Sequence, residues 1–231
     1  MKTKVKISEE DRRQVKIVLD NFSTPWKSRE QIFYDLCFAI CSPQTTFKNN
    51  RKSIDGLIVN SFYDRDVPLE KLHNITRPTR FYRQKTERLL AMKEKFPLVL
   101  EEIERAADDE LKQSDWILRD WLVKNIKGIG YKVASHFLRN VGNRTMAIID
   151  VHILKFMGPD KLPTTTKNKY REIEFDFQAI ACVNHLSPAE LDAEFCKENG
   201  IILHRIKYSE DKEESIKKLR ELLNSRFKSF S

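Results

Sequence analysis

One lysine in this sequence is well placed to act as a nucleophile. Lys132 is the second residue after Gly130, in the first turn of a predicted helix. The positive end of the helix dipole and partial burial would both favour a neutral amine over an ammonium ion. A neutral amine can attack an electrophilic carbon and form an imine, which a hydroxyl group cannot do. The alternative is a solvated helix lysine, as most of the 42 Lys and Arg residues must be.

An aspartate follows soon after in an apolar setting. Asp150 ends the run Met146-Ala-Ile-Ile149 and precedes Val151-His-Ile153. A carboxylate among apolar neighbours is costly unless it has a chemical task or a partner. Asp150 could also be the N-cap of a helix that contains Ile153. The two roles are compatible, and both stay open.

A glycine turn precedes the lysine. In the segment 126–134, Gly128 and Gly130 flank one apolar residue, Ile129, which we expect to plug the turn into two helices. The amide groups of such a turn and of the next helix point outward together, which suits a DNA phosphate and reads no base. The alternative is an ordinary helical hairpin. The apolar residues that follow, with Ala134 four residues after Gly130, favour the DNA-binding hairpin.

Helical spacing of apolar residues predicts the elements that hold these groups. Two helices are predicted to start at Ser8 and Ser28. Further helices are predicted over residues 46–58, 80–95, 115–125, 131–141, 170–182, 188–198 and 209–227. We expect breaks at Ser42-Pro43 and at Pro97, a loop over 158–169 and a short extended piece over 201–206. The fold class is all-α, as a single domain over 1–231 with two helical lobes and a helix-hairpin-helix at about 116–141.

Composition limits the partners. The chain has 231 residues and a net charge of +8, a basic surplus that favours a polyanion such as nucleic acid. Its four cysteines lie outside any CxxC pair, so no metal site is predicted. No apolar run approaches the roughly 20 residues that cross a bilayer. We therefore expect an intracellular protein, of the cytoplasm or nucleoid, with no membrane contact.

The segment Lys127-Gly-Ile-Gly-Tyr-Lys-Val-Ala-Ser-His-Phe-Leu-Arg-Asn-Val-Gly142, with Ala147-Ile-Ile-Asp-Val-His-Ile153, resembles the HhH-GPD superfamily of DNA glycosylases. The nearest likeness is to the archaeal-type 8-oxoguanine DNA glycosylase/AP lyases. Lys132 and Asp150 stand 18 residues apart, as the nucleophile and essential aspartate of that superfamily do. Residues 80–85 and 170–174 resemble two further short blocks of the subfamily.

The resemblance implies a base-excision-repair mechanism. Lys132 would attack C1′ of a damaged nucleotide flipped out of double-stranded DNA, and Asp150 would stabilise positive charge on the sugar. The imine would then support β-elimination at the abasic site. The carbonyls near Gly128 and Gly130 resemble those that hold a monovalent cation in some members. The resemblance implies no redox cofactor and no transition metal, and we expect a monomer.

Three further side chains match subfamily positions. Gln44 lies where many members insert a polar side chain into the gap left by base flipping, and its alternative is a loop-capping amide. Phe81 matches an aromatic near the lesion, where it could stack on a base, and its alternative is a core residue. His152 is expected in the lesion pocket as a supporting or packing residue.

The C-terminal part departs from the subfamily. Those enzymes use a Trp-containing helix and a terminal carboxylate to recognise oxidised guanine. Here Cys196 stands near the expected Trp, and the chain runs on through the predicted helix 209–227 to Ser231. The expected substrate is 8-oxoguanine. A glycosylase/lyase for a different lesion and a non-catalytic hairpin DNA-binding protein remain alternatives.

Overall fold

The structure is a computed structural model that describes residue 13 and residues 28–107, 114–143, 145–150, 153–154, 166–183 and 186–191. In these ranges all regular elements are helices, with short helical stretches at 153–154 and 188–191 besides the longer ones. The longer helices are α1 (Arg29–Cys41), α2 (Phe47–Val59), α3 (Leu69–Thr76), α4 (Tyr82–Ala107), α5 (Ser114–Asn125), α6 (Tyr131–Asn140) and α7 (Lys167–Val183). The predicted all-α class is confirmed.

The chain divides into two compact units. One is Thr24–Asn143, and the other combines Met1–Ser23 with Arg144–Ser231. In the first unit the inner faces of α1 to α6 form a continuous apolar core. Its fully buried members include Leu36, Cys37, Ile40, Leu57, Phe62, Leu72, Leu89, Val99, Leu122, Ala134 and Phe137.

The ends of α1 follow local chemistry that the sequence predicted. Ser28 accepts a hydrogen bond from the Gln31 amide, and the Gln31 side chain accepts one from the Ser28 amide, which completes a capping box. The helix ends before Ser42-Pro43, as expected. Thr46 then caps α2 by accepting a hydrogen bond from the Asn49 amide. Residues 42–46 therefore form a short loop between two well-defined helix ends.

The predicted break at Pro97 is wrong, because α4 continues through this residue to Ala107. Pro97 removes one helical hydrogen bond but lies on the exposed side of α4, where water can solvate the freed carbonyl. The neighbouring Phe96 and Val99 are buried and keep the helix packed on its inner face. Tertiary packing thus outweighs the local cost of the proline.

The sequence did not predict α3. This helix has only eight residues, and its N-cap is Pro68, which gives no side-chain hydrogen bond. Leu72 and Thr76 are its buried residues, so packing in the first unit stabilises it rather than any terminal signal. The predicted helix start at Ser8, the predicted extended piece over 201–206, the predicted helix over 209–227 and most of the predicted helix over 188–198 lie outside the described residues.

No helix in the part of the chain that the structure describes is long and apolar enough to cross a membrane.

Candidate active site

The glycine turn joins α5 and α6 as predicted. Gly128 has φ of 90°, in the left-handed region that favours glycine. Ile129 is buried, and its amide donates to the Ile126 carbonyl at 3.3 Å. Its side chain therefore anchors the turn in the apolar core. The segment 126–130 therefore has the geometry of a helix-hairpin-helix turn.

The two glycines of the turn differ in what they face. A Cβ on Gly128 would lie 2.5 Å from Cδ of Arg88, a flexible side chain that can shift, so the positive φ rather than this contact favours glycine there. Gly130 is extended, with φ of −103°, and a Cβ on it would meet nothing within 4 Å. The chain therefore gives no steric reason for glycine at position 130, and the backbone there is open to a molecule from outside.

Lys132 is the second residue of α6 and is exposed. The partial burial expected from the sequence is wrong. The buried face of α6 carries Ala134, Phe137 and Leu138, and position 132 lies on the opposite side of the helix. The amine consequently stands at the surface, directly after the open backbone of Gly130.

His136 follows Lys132 by one helical turn and is partly buried. Its ring meets Phe38 edge-on, with centroids 6.4 Å apart. Burial, followed by the charges of Arg139 and Lys132, lowers the pKa of His136 to about 4. The imidazole is therefore neutral at pH 7 and adds no positive charge beside Lys132.

A buried arginine contacts the inner side of α6. This residue was not predicted from the sequence. Arg119 of α5 is fully buried and donates to Oγ of Ser135 at 3.2 Å. Its guanidinium lies over the rings of Trp116 and Tyr131, at 4.8 Å and 5.6 Å from their centroids. Arg119 thus contacts residues on both sides of Lys132 along the helix. The only sign in the sequence that Arg119 is buried is that apolar residues stand near it along α5.

In the other unit, Asp150 has the N-cap role that was one of its two predicted roles. Its Oδ1 accepts a hydrogen bond from the Ile153 amide at 3.0 Å, and its carbonyl accepts one from the Leu154 amide at 2.9 Å. The residue is partly exposed. The cap fixes the carboxylate at the start of a helical turn, and this role is compatible with a chemical one.

The segment before Asp150, which has no regular secondary structure, is held by side chains of α7. The Tyr170 hydroxyl accepts from the Ile149 amide at 3.0 Å and donates to the Ala147 carbonyl at 2.9 Å. Oε1 of the buried Glu174 accepts from the Ala147 amide at 3.0 Å. Gln178 donates to the Thr145 carbonyl at 3.0 Å.

We call Tyr170, Glu174 and Gln178 the α7 ladder, because they recur every four residues on one face of α7. The ladder satisfies the backbone groups that a strand partner would otherwise take. It was missed as a functional feature from the sequence, although residues 170–174 resembled a subfamily block. The spacing of its polar residues was the available signal.

Gln44 and Phe81 are exposed, and both have left-handed backbones, with φ of 54° and 59°. Gln44 makes no side-chain hydrogen bond to any described residue, so its predicted alternative as a loop-capping amide is wrong. Phe81 is 52% exposed, so its alternative as a core residue is wrong too. The Arg80 guanidinium covers its ring at 4.9 Å. His152 lies outside the described residues.

Comparison with known proteins places the fold. A Methanocaldococcus jannaschii protein named 8-oxoguanine DNA glycosylase/AP lyase is 35% identical over 201 residues, covering 81% of this chain and 91% of its own. A Fusobacterium nucleatum protein of the same name is 34% identical over 190 residues, covering 73% and 81%. The crystal structure of the Methanocaldococcus jannaschii enzyme with 15mer DNA containing 8-oxoguanine matches with a TM-score of 0.71 at 30% identity, covering 84% and 92%.

The helical fold, its glycine hairpin and these matches define a DNA glycosylase of the helix-hairpin-helix class. The helix-hairpin-helix family described as 8-oxoguanine DNA glycosylase matches residues 15–186. This chain belongs to that family. The predicted family and the predicted enzyme class, a bifunctional DNA N-glycosylase and AP lyase of base-excision repair, are confirmed.

Proposed function

We propose that this protein removes 8-oxoguanine from double-stranded DNA and then cuts the strand at the abasic site, with Lys132 as the nucleophile and Asp150 as the essential carboxylate. The observation that carries the proposal is the position of Lys132. Its amine is exposed on the first turn of α6, two residues after the open backbone of Gly130. A nucleophile placed there stands next to whatever the hairpin binds.

In the first step, the neutral amine of Lys132 forms a bond to C1′ while the bond from C1′ to the base breaks. The departing base takes the electron pair of that bond and leaves with a proton. Asp150 stabilises the positive charge that develops on the sugar and assists in removing the proton from Lys132. Its hydrogen bond from the Ile153 amide keeps the carboxylate oriented.

In the second step, ring opening gives an imine between Nζ of Lys132 and C1′. Loss of a proton from C2′ then drives departure of the 3′ phosphate by β-elimination, which cuts the strand. Water finally hydrolyses the imine and frees the lysine. No step involves a net oxidation or reduction, so the cycle requires no redox cofactor. A monovalent cation at the hairpin carbonyls remains a prediction from the sequence.

The hairpin of Gly128, Ile129 and Gly130 would hold a DNA phosphate through its backbone amides. The space at Gly130 supports this role, because a phosphate could approach the backbone there without meeting a side chain. Gln44 and Phe81 would enter the DNA at the flipped nucleotide, which the exposure of both side chains supports. We further propose that the enzyme acts as a monomer on DNA with a damaged base or an abasic site, inside the cell where that DNA lies.

Borohydride trapping tests the nucleophile. Borohydride reduces the imine to a stable amine, so wild-type protein on abasic or 8-oxoguanine duplex should give a covalent adduct. Lys132→Gln should give none while still binding DNA. Lys124→Gln is the matched control, because Lys124 is an exposed lysine at the end of α5. Trapping of the Lys132→Gln protein at the wild-type level would assign the nucleophile elsewhere, and absence of wild-type trapping would favour the non-catalytic binding protein.

A glycosylase for a different lesion is the second candidate. The observation that favours it is Cys196, which stands near the position where the subfamily resemblance predicts a Trp. Single-turnover excision from duplexes that carry one of several oxidised bases would decide. A faster reaction on another base than on 8-oxoguanine would replace the proposed substrate and leave the lysine chemistry intact.

A further inference from the structure

A buried lysine lies under the loop that carries Gln44. The side chain of Lys85 is 2% exposed, and its Nζ donates to the Cys41 carbonyl at 2.7 Å, the Pro43 carbonyl at 2.9 Å and Oγ1 of Thr45 at 2.7 Å. All three acceptors belong to the end of α1 or to the loop that follows it. The three donors of one ammonium group are thereby used on one short segment.

The acceptors of Lys85 are all neutral oxygens, and no carboxylate in the described residues forms an ion pair with it. Burial lowers the pKa of Lys85, partly opposed by the Cys41 thiol and assisted by the charge of Arg88. A buried ammonium without an anion is a costly way to fill core space, since an apolar side chain would do so without a desolvation penalty. The position therefore serves the loop rather than the core.

Lys85 is also joined to Phe81. Its backbone amide donates to the Phe81 carbonyl at 3.1 Å, the first hydrogen bond of α4. Oγ1 of Thr45, which accepts from Lys85, also accepts from the Arg80 amide at 3.3 Å. The backbone bond does not depend on the side chain at position 85. The two segments that carry Gln44 and Phe81 are instead connected by the hydrogen bonds that Oγ1 of Thr45 accepts from Nζ of Lys85 and from the Arg80 amide.

Gln44 and Phe81 share an unfavourable backbone. Both residues carry a Cβ, and both have a backbone in the left-handed region. Residues other than glycine persist in that region only when surrounding contacts hold them there. Both are exposed, so packing of their own side chains cannot supply those contacts. At the Gln44 turn, the Thr45 amide donates to the Ser42 carbonyl at 3.1 Å, and the hydrogen bonds from Lys85 hold the same loop from the buried side. At Phe81, the Arg80 guanidinium covers the ring, and the Arg80 amide donates to Oγ1 of Thr45.

We infer that Lys85 is a positioning residue, which holds Gln44 and Phe81 together in the conformation that enters DNA during base flipping. The inference rests on the proposed function, in which these two side chains contact the flipped nucleotide. It assigns a role to a residue that touches neither the base nor the sugar. Loss of Lys85 should therefore impair extrusion of a base and leave the lysine chemistry on an existing abasic site.

Lys85→Met tests this, with Lys93→Met as the matched control. Lys93 lies on the same helix and also donates to a backbone carbonyl, that of Arg65 at 2.6 Å, but has no contact with the 42–46 loop. Single-turnover excision of 8-oxoguanine by Lys85→Met should slow by about ten- to a hundredfold, the range expected for misplaced groups near a reaction centre. Cleavage and borohydride trapping on a preformed abasic site should change by less than about threefold, because no base is left to extrude.

A fluorescent base analogue beside the lesion gives a readout that a purely structural role would not move. Its signal on binding should reach the wild-type level with Lys93→Met and stay low with Lys85→Met. If Lys85→Met does not fold, Thr45→Val decides, since it removes only the hydroxyl that links Lys85 to the Arg80 amide. Thr45→Val should then show the same selective loss of excision in a smaller degree.

The outcomes separate the two hypotheses. Wild-type protein that excises no base overturns the proposed function, and this inference with it. A second outcome overturns the positioning role alone. In it the wild-type protein excises the base, and the variant Lys85→Met or Thr45→Val loses excision and abasic-site cleavage equally, in proportion to its unfolded fraction. Selective loss of excision and of the fluorescence signal supports it.

Discussion

The proposed nucleophile and the proposed carboxylate are placed by opposite means. Lys132 lies on a regular helix, whose own backbone hydrogen bonds and buried face determine where the amine stands. Asp150 ends a segment without regular secondary structure, and side chains of α7 hydrogen-bond to backbone groups of that segment. Lys132 is positioned by its own helix alone. The Asp150 side chain is oriented by the nearby Ile153 amide, but the segment that leads to it is held by side chains of α7, twenty or more residues further along the chain.

This difference predicts how each residue responds to change. A position set by a helix tolerates substitutions at most neighbours, because each backbone hydrogen bond is one of many. A position set by three side chains depends on each of them, since a lost partner leaves a buried amide or carbonyl unsatisfied. The Asp150 segment should therefore be the more sensitive of the two to single distant substitutions.

The largest expected effect is on the rate of excision by Asp150→Asn, a variant that removes the charge of the side chain and keeps its position. Asp150→Asn keeps an oxygen that can accept from the Ile153 amide, so the cap should survive. Loss of the negative charge should slow excision by about 10²-fold or more, judged from single charge-stabilising groups in other enzymes. Single-turnover kinetics with a binding assay measures both. Near-normal excision would reduce Asp150 to a helix cap.

Next in size is a test of the α7 ladder. Tyr170→Phe removes one oxygen, and with it the partners of the Ile149 amide and the Ala147 carbonyl. We expect a loss of about 1–3 kcal/mol in the free energy of unfolding. Excision should also slow by roughly tenfold through misplacement of Asp150.

The effect on catalysis is separated from the effect on stability by adding Asp150→Asn. If Tyr170 acts through Asp150, the double variant should excise no more slowly than Asp150→Asn alone, while its stability loss persists. Multiplied rate effects would mean that Tyr170 acts by another route. Gln178→Met tests how the effect falls with distance: Gln178 binds the Thr145 carbonyl at the far end of the segment, so this variant should slow excision less than Tyr170→Phe does.

The same contrast explains what the sequence could predict. The hairpin, the cap at Ser28 and the helix that carries Lys132 depend on neighbours within about four residues, so their patterns are visible in the sequence. The α7 ladder and the Lys85 contacts join residues 21 to 44 positions apart. No local pattern encodes such pairs, and Pro97 shows the same principle, because buried neighbours override the usual helix break.

A smaller effect should distinguish the two glycines of the hairpin. Gly130→Ala should leave stability unchanged or raise it by up to about 1 kcal/mol, because its backbone is ordinary and its surroundings are open. Affinity for DNA should nevertheless fall several-fold if a phosphate occupies that space. Gly128→Ala should instead cost about 1–2 kcal/mol of stability through its positive φ.

Chemical denaturation and DNA titration would measure the two properties separately. Unchanged affinity of Gly130→Ala for DNA would contradict the phosphate role of the hairpin, whatever its stability. The comparison is internal, since both variants add the same methyl group to the same turn.

The last prediction concerns the partly buried neighbour of Lys132. Because burial lowers the pKa of His136 to about 4, the unfolded chain binds a proton at this residue at a pH where the folded protein does not. Stability from this residue is therefore complete above about pH 6.5 and is lost as the pH falls towards 4, by at most about 3 kcal/mol.

His136→Gln cannot titrate, so its free energy of unfolding should fall less between pH 7 and pH 5 than that of the wild type. Carboxylates titrate equally in both proteins and cancel in the difference. Parallel pH dependences would show that His136 takes up its proton without cost, and that Lys132 then has a second cation beside it on the acid side of neutrality.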